Sequence, residues 1–491
     1  MTHQLDDPQR AEALARRFLR GELSRRDFLV RAGQFSAATL VLTSLGALVA
    51  ACGGTTATAV PSGGAVASPV AGGKLAGALT GEPDTLDPAT STIYTGAQVY
   101  DNIFSKLIDY DENNELVGVL ATKWTQNDPK TWTFDLVDNA TFHNGEKFSS
   151  ADVKYTFERI LDPATASSYA PLYDAIDSVE APSPTQVVFK LKVPFGPFLS
   201  NLANNGEIVN QKAIEAADPA RNPIGTGPFQ FVEWVQGDHV TLKKFDKYFV
   251  AGKPYLDEIT FRFLLVDQGR IEALRAGELD WVDAVPLNQL STLKTDPDFT
   301  YVTSATAGIP DYLALNVTKA PFDNVKVRQA IAWAVDKTAI RDVAYFGAGE
   351  VGSEEVPSGS PWFGGTDPYK APDLVKAKAL LKEAGFETGL TVKYLGLPQY
   401  PELLKTGEVV RDQLKAIGIT MEIEPVDVSI WFDRFVKGDY EITSAYQERT
   451  LDPDNFYALV LRTGGAINTT GYSNPDLDQL IEQARTETDD T

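Results

Sequence analysis

The chain has 491 residues, a formal charge of −23, three histidines and one cysteine. Such a length exceeds what one hydrophobic core serves and calls for two or three domains, and the apolar and aromatic content is ordinary for a globular protein. The acidic balance speaks against nucleic acid and anionic lipid as partners. A lone cysteine rules out a disulfide within the chain and argues against a cysteine-ligated metal site, so stability must come from packed cores.

Near its start the chain carries Ser24-Arg25-Arg26-Asp27-Phe28-Leu29, and no charged side chain follows Arg31 before Cys52. Paired arginines, an apolar run and small residues before a cleavage point are the parts of an export signal. Thr43, Ser44 and Gly46 interrupt the run, which makes a spanning helix of about 20 apolar residues the weaker reading. Val49-Ala50-Ala51-Cys52 resembles a bacterial lipobox, and Arg25 and Arg26 resemble the pair of a twin-arginine signal, with Val30 where lysine is usual. Residues 1–51 are therefore expected to be a signal peptide and Cys52 a lipid anchor. Seven arginines against five acids precede Cys52, leaving about −25 on the rest. Residues 52–73, rich in Gly, Ala, Thr and Ser without charge or period, read as a flexible tether.

The folded body begins near Lys74. Thr131–Val137, Gln186–Lys192 and Glu258–Phe263 alternate apolar and polar residues, as half-buried strands do. Ala151–Ile160 reads as a helix with Ser149 or Ser150 as cap. Pro223–Phe229 is turn-rich and precedes another strand, Phe229–Val235. After Pro310 helix and strand alternate. Asp323 or Asn324 caps a helix striped by Val327, Ile331 and Val335 and ended by Gly347 or Gly349. Pro372 opens a second, closed by Gly385. Leu390–Leu395 reads as strand, Glu402–Ile417 as helix stopped by Gly418, Ile419–Ile423 as strand and Pro475–Thr486 as the last helix. The change of rhythm places a boundary between an α/β lobe at 74–309 and a second at 310–491, near Ala307–Tyr312.

Few catalytic signatures are present. His3, His143 and His239 lack metal-ligand spacing, and neither a Gly-x-Ser-x-Gly elbow nor a phosphate loop occurs. Ser291-Thr-Leu-Lys294 and Lys405-Thr-Gly407 imitate a penicillin-interacting enzyme without its middle element, which leaves a secreted serine hydrolase as a weak rival. Aromatics offer more. Trp431, Tyr440, Tyr446, Phe456 and Tyr457 gather around the loop Ala445–Tyr457. Core packing is the default for any one of them, but with Gln447, Glu448, Arg449 and Asp452 the loop has the stacking surface and polar handles of a ligand pocket.

Several stretches, in one order, carry a resemblance: Glu82–Pro88, Asp101–Phe104, Leu120–Trp124, Thr131–Phe134, Phe142–Gly145, Ala151–Val153, Gly225–Phe229, Leu315-Asn316, Pro321-Phe322, Val327–Ile331 and Asp452–Phe456. From Lys74 to its end the chain resembles the family 5 solute-binding proteins of ATP-driven (ABC) importers, the oligopeptide, dipeptide and nickel receptors. The resemblance implies an α/β fold of the periplasmic-binding-protein type II kind, with two lobes on a hinge and an extra subdomain at about 112–205. It implies capture of a peptide or similar small solute, delivery to ABC permease subunits, no cofactor, no covalent chemistry and a monomer. It places the protein on the outer face of the cell membrane, or on the periplasmic side if a second membrane exists. Candidate ligand residues are Tyr94, Trp431, Tyr446, Gln447, Arg449 and Asp452; Tyr446 falls where many relatives carry tryptophan, and Trp431 matches an aromatic of the cleft.

Two departures qualify the ligand. In peptide-binding members an aspartate just before the Asp-Pro pair takes the ligand's α-ammonium; here the position holds Arg449, or Thr450 with a gap. An arginine buried against that cation would cost several kcal/mol. Glu448 substitutes if the loop shifts; otherwise Arg449 suits a carboxylate or phosphate held bidentately, or forms a surface or interlobe ion pair. An anionic or sugar-like solute is therefore the alternative. Secondly, relatives continue beyond the last helix and return to the first lobe; the expectation here is a fragment, or else looser closure.

Overall fold

A computed structural model describes residues 69–487 apart from 92, 304–307, 361 and 447–451. The export signal with Arg25 and Arg26, Cys52 and most of the tether lie outside the described residues. The strand Lys74–Leu79 organises the first lobe. It runs parallel to Glu258–Phe263, with Lys74 opposite Glu258, and parallel to Trp281–Val282. His239–Lys244 and Phe229–Val235 extend the sheet antiparallel to five strands. Period-2 alternation sets the register: Ile259, Phe261 and Phe263 turn into the core while the residues between them stay half-exposed.

Between Leu79 and Phe229 the chain leaves this sheet, and much of the excursion folds on itself. Ala121–Asp128, Thr131–Leu136, Gln186–Leu191 and Ile176–Ser183 pair antiparallel in that order. The helix Ser150–Leu161 covers one face with Val153, Phe157 and Ile160. It starts where the sequence places it, and the Asp152 carboxylate accepts the Ser149 N–H at 2.9 Å. Phe157 meets Phe189 edge-on at 5.1 Å, and each such buried ring contributes about 2 kcal/mol.

Three of the family-like stretches prove to be one packing joint. The Ile103 carbonyl accepts the Gly227 N–H at 2.8 Å, Asn102 accepts that of Phe229 at 3.0 Å, and the Gly225 carbonyl accepts that of His143 at 2.9 Å. A Cβ on Gly225 would stand 2.1 Å from the Ile103 oxygen, so glycine is required by close approach of two backbones. His143 is half-buried against the Gly227 carbonyl, and desolvation lowers its imidazole to about 4, keeping it neutral.

The second lobe is built on four strands in the order Asp311–Leu315, Ile442–Tyr446, Leu390–Gly396, Ile419–Pro425; the last three are parallel. The helices Leu374–Glu383 and Pro401–Leu414 supply Ala377, Leu381, Val410 and Leu414 to its core. Gly418, at φ +89°, closes a 3-10 turn after Leu414, and Gly385 is likewise left-handed. The helix expected to open at Pro372 begins at Leu374, with Asp373 as its cap accepting the Lys376 N–H.

One expectation is corrected. The helix read from Asn324 to Gly347 is two helices, Val325–Ala334 and Lys337–Ala344. Val335 is extended and Asp336 caps the second, accepting the Ala339 N–H at 3.1 Å. The reason lies elsewhere in the chain. The Gln413 amide accepts the Asp336 N–H at 3.0 Å and donates to its carbonyl at 3.2 Å, so both groups freed by the break are satisfied.

Candidate functional site

Ligands of open α/β sheets bind beyond the carboxyl ends of the parallel strands. In the second lobe that edge is formed by the ends of Leu390–Gly396 and Ile442–Tyr446 and by the start of Asp311–Leu315. Asp311 stands opposite Tyr446 in register, which puts both side chains on one face. The Tyr446 ring lies 5.9 Å from that of Tyr400, the residue that opens the helix Pro401–Leu414. Glu402 occupies the first turn of this helix. Tyr312, on the opposite face, meets Phe456 edge-on at 5.4 Å.

The electrostatics are those of a crevice. Asp311 is exposed to solvent on one side, and the atoms packed around it desolvate its carboxyl. Burial, then the nearby Glu402, push its carboxyl up to about 7. Glu402 is raised as well, by burial first and then by Asp267. Asp267 begins the helix Asp267–Arg275 of the first lobe, so an acidic group of that lobe acts on Glu402 of the second. Neither Asp311 nor Glu402 has a lysine or arginine partner among the described residues.

The expected ligand residues are distributed between the lobes. Tyr94 begins the helix Tyr94–Tyr100 of the first lobe and is 45 % exposed. Tyr446 lies at the edge just described. Trp431 is 4 % exposed, stacks on Phe435 at 4.6 Å and donates its indole N–H to Thr443 at 3.0 Å. Its polar atom is thus used inside the second lobe. Asp452 accepts the Asp454 N–H at 2.9 Å and the Ser200 hydroxyl of the first lobe. Gln447 and Arg449 lie outside the described residues. Sequence reasoning missed Asp311, Tyr400 and Glu402; the available signal was a charged residue at the mouth of the strand leading to Leu315-Asn316.

The hydrolase fragments fall on different lobes. Ser291 and Lys294 are exposed at the end of the helix Leu287–Leu293, with the Lys294 ammonium 4.7 Å from the centre of the Tyr301 ring. Lys405 pairs with Glu408 on the helix Pro401–Leu414.

Two α/β lobes on a hinge, the first with an inserted subdomain, define a receptor of the periplasmic-binding-protein type II kind. Residues 115–468 match the family described as bacterial extracellular solute-binding proteins, family 5 Middle, and the chain belongs to it. It is 30 % identical over 448 residues to the glutathione-binding protein GsiB of Pectobacterium atrosepticum, covering 86 % of this chain and 85 % of that one. It is similar to the solved structure of Helicobacter pylori DppA in complex with the peptide STSA, at 27 % identity and TM-score 0.75, covering 86 % of this chain and 88 % of that one. The structure of AgaA from A. tumefaciens R10 in complex with agropinic acid is similar at 31 % identity and TM-score 0.72, covering 85 % and 87 %. The chain is thus a solute-binding protein of an ABC importer, and its homologues are binding proteins rather than enzymes.

Proposed function

We propose that this chain is the substrate-binding lipoprotein of an ABC importer, which captures a peptide or similar small solute between its lobes and delivers it to the permease. The supporting observation is the crevice: Tyr446 and Tyr400 give a stacking surface at the carboxyl ends of parallel strands, with Asp311 and Glu402 beside them. Closure would bury the ligand there, the few buried polar groups setting selectivity and trapped water tolerating variation. Cys52 would anchor the protein to the outer face of the membrane after removal of residues 1–51. Gln447 and Arg449 belong to the proposed pocket. The likeness to a structure holding agropinic acid favours a second reading, a non-peptide anionic solute met by Arg449.

Native mass spectrometry of the purified protein, followed by titration with the peptide Ser-Thr-Ser-Ala, glutathione and agropinic acid, tests both. A peptide mass or saturable peptide binding supports the first reading; binding of agropinic acid alone replaces it with the second. Hydrolysis of a generic ester that disappears in Ser291→Ala overturns both.

A further inference from the structure

The last helix, Pro475–Thr486, ends against the first lobe. The carbonyl of Arg485 is among the four that an α-helix leaves without an internal partner. Its partner comes from across the molecule: the Gly196 N–H donates to it at 2.7 Å. Gly196 is needed for this approach, because a Cβ there would sit 2.4 Å from the Glu487 carbonyl oxygen. The side chain of Arg485 reaches both lobes. Its guanidinium carbon lies 5.0 Å from the centre of the Phe195 ring, and its Nε lies 3.0 Å from Asp454. Both members of the ion pair are buried, at 12 % and 8 % exposure. A buried pair of this kind adds little net stability over apolar packing, and its best-attested use is to fix a register.

A second attachment lies at Ser200, in the first turn of the helix Phe198–Asn205. Tyr110 donates its hydroxyl to Ser200 at 3.1 Å, and Ser200 donates to Asp452. The segment 195–200 of the first lobe is therefore joined to residues 452–454 and 485–487 of the second.

We infer that Arg485 and Gly196 form an interlobe latch that sets the docked arrangement of the lobes and holds Asp454, and with it the proposed ligand residue Asp452, against the first lobe. Arg485 is a positioning residue: it acts on the site through Asp454. The link to ligand binding rests on the proposed receptor function; the latch itself does not.

The test uses the full chain with Cys52→Ser, spin-labelled at Lys123→Cys on the first lobe and Lys378→Cys on the second, both exposed positions. Electron-spin distance measurement without ligand should give a narrow interlobe distribution. Arg485→Ala and Gly196→Ala should each lose the narrow peak, and Arg485→Lys, which keeps the charge beside Asp454, should restore part of it. Circular dichroism checks that each variant is folded; should Arg485→Ala not fold, Gly196→Ala decides. An unchanged distribution in a folded variant overturns the latch. Ser-Thr-Ser-Ala titration is the second readout, with about tenfold weaker binding expected in Arg485→Ala. If the unmodified protein binds no peptide, the functional reading fails while the distance result still stands.

Discussion

Asp311 carries the largest electrostatic consequence of a single side chain in the crevice. Its carboxyl is raised to about 7 by burial and then by Glu402, against about 3.9 in an unfolded chain. Folding therefore favours the protonated form. The stability that this group contributes is fully present below about pH 4 and is lost as pH rises towards 7. Asp311→Asn should leave urea stability unchanged at pH 4 and raise it at pH 8 by an amount of order 1 kcal/mol, discounted because the side chain touches water. Equal effects at both values would remove the desolvation argument. Trp431, which the resemblance places in the cleft, has its N–H used by Thr443 and one face by Phe435, so any contact it makes with a ligand is through the rest of its ring. Residue type announces a hydrogen-bonding capacity; only neighbours decide where it is spent.

At the scale of elements, most signals proved local. Thr131–Leu136 and Gln186–Leu191 alternate with period 2 and fold as the sequence indicates. Ser149 and Gly418 mark helix ends because caps and left-handed glycines act within one turn. The break at Val335 escaped notice because Val327, Ile331 and Val335 keep a helical spacing, while the group that stabilises the break, Gln413, lies far along the chain. Loss of the cap in Asp336→Ala should destabilise the second lobe by about 1 kcal/mol, read as a shift of the urea midpoint. No shift would mean that the Gln413 clasp alone holds the break.

For the whole molecule, a ligand that binds only the folded, closed form must stabilise it by mass action. At a hundred times its Kd the gain is about 2.7 kcal/mol, visible as a higher melting temperature. Binding without a higher melting temperature would mean that the ligand does not favour the folded form. By itself, the sequence determined the features written in adjacent residues: strands, caps and the ordered signatures that placed the chain among family 5 receptors. Tertiary structure alone decided which distant groups meet. Asp311 faces Glu402, with Asp267 of the other lobe nearby, and Gly196 caps Arg485 nearly three hundred residues later. Those meetings are set by register and packing, and neither is encoded within the few residues over which a local signal acts.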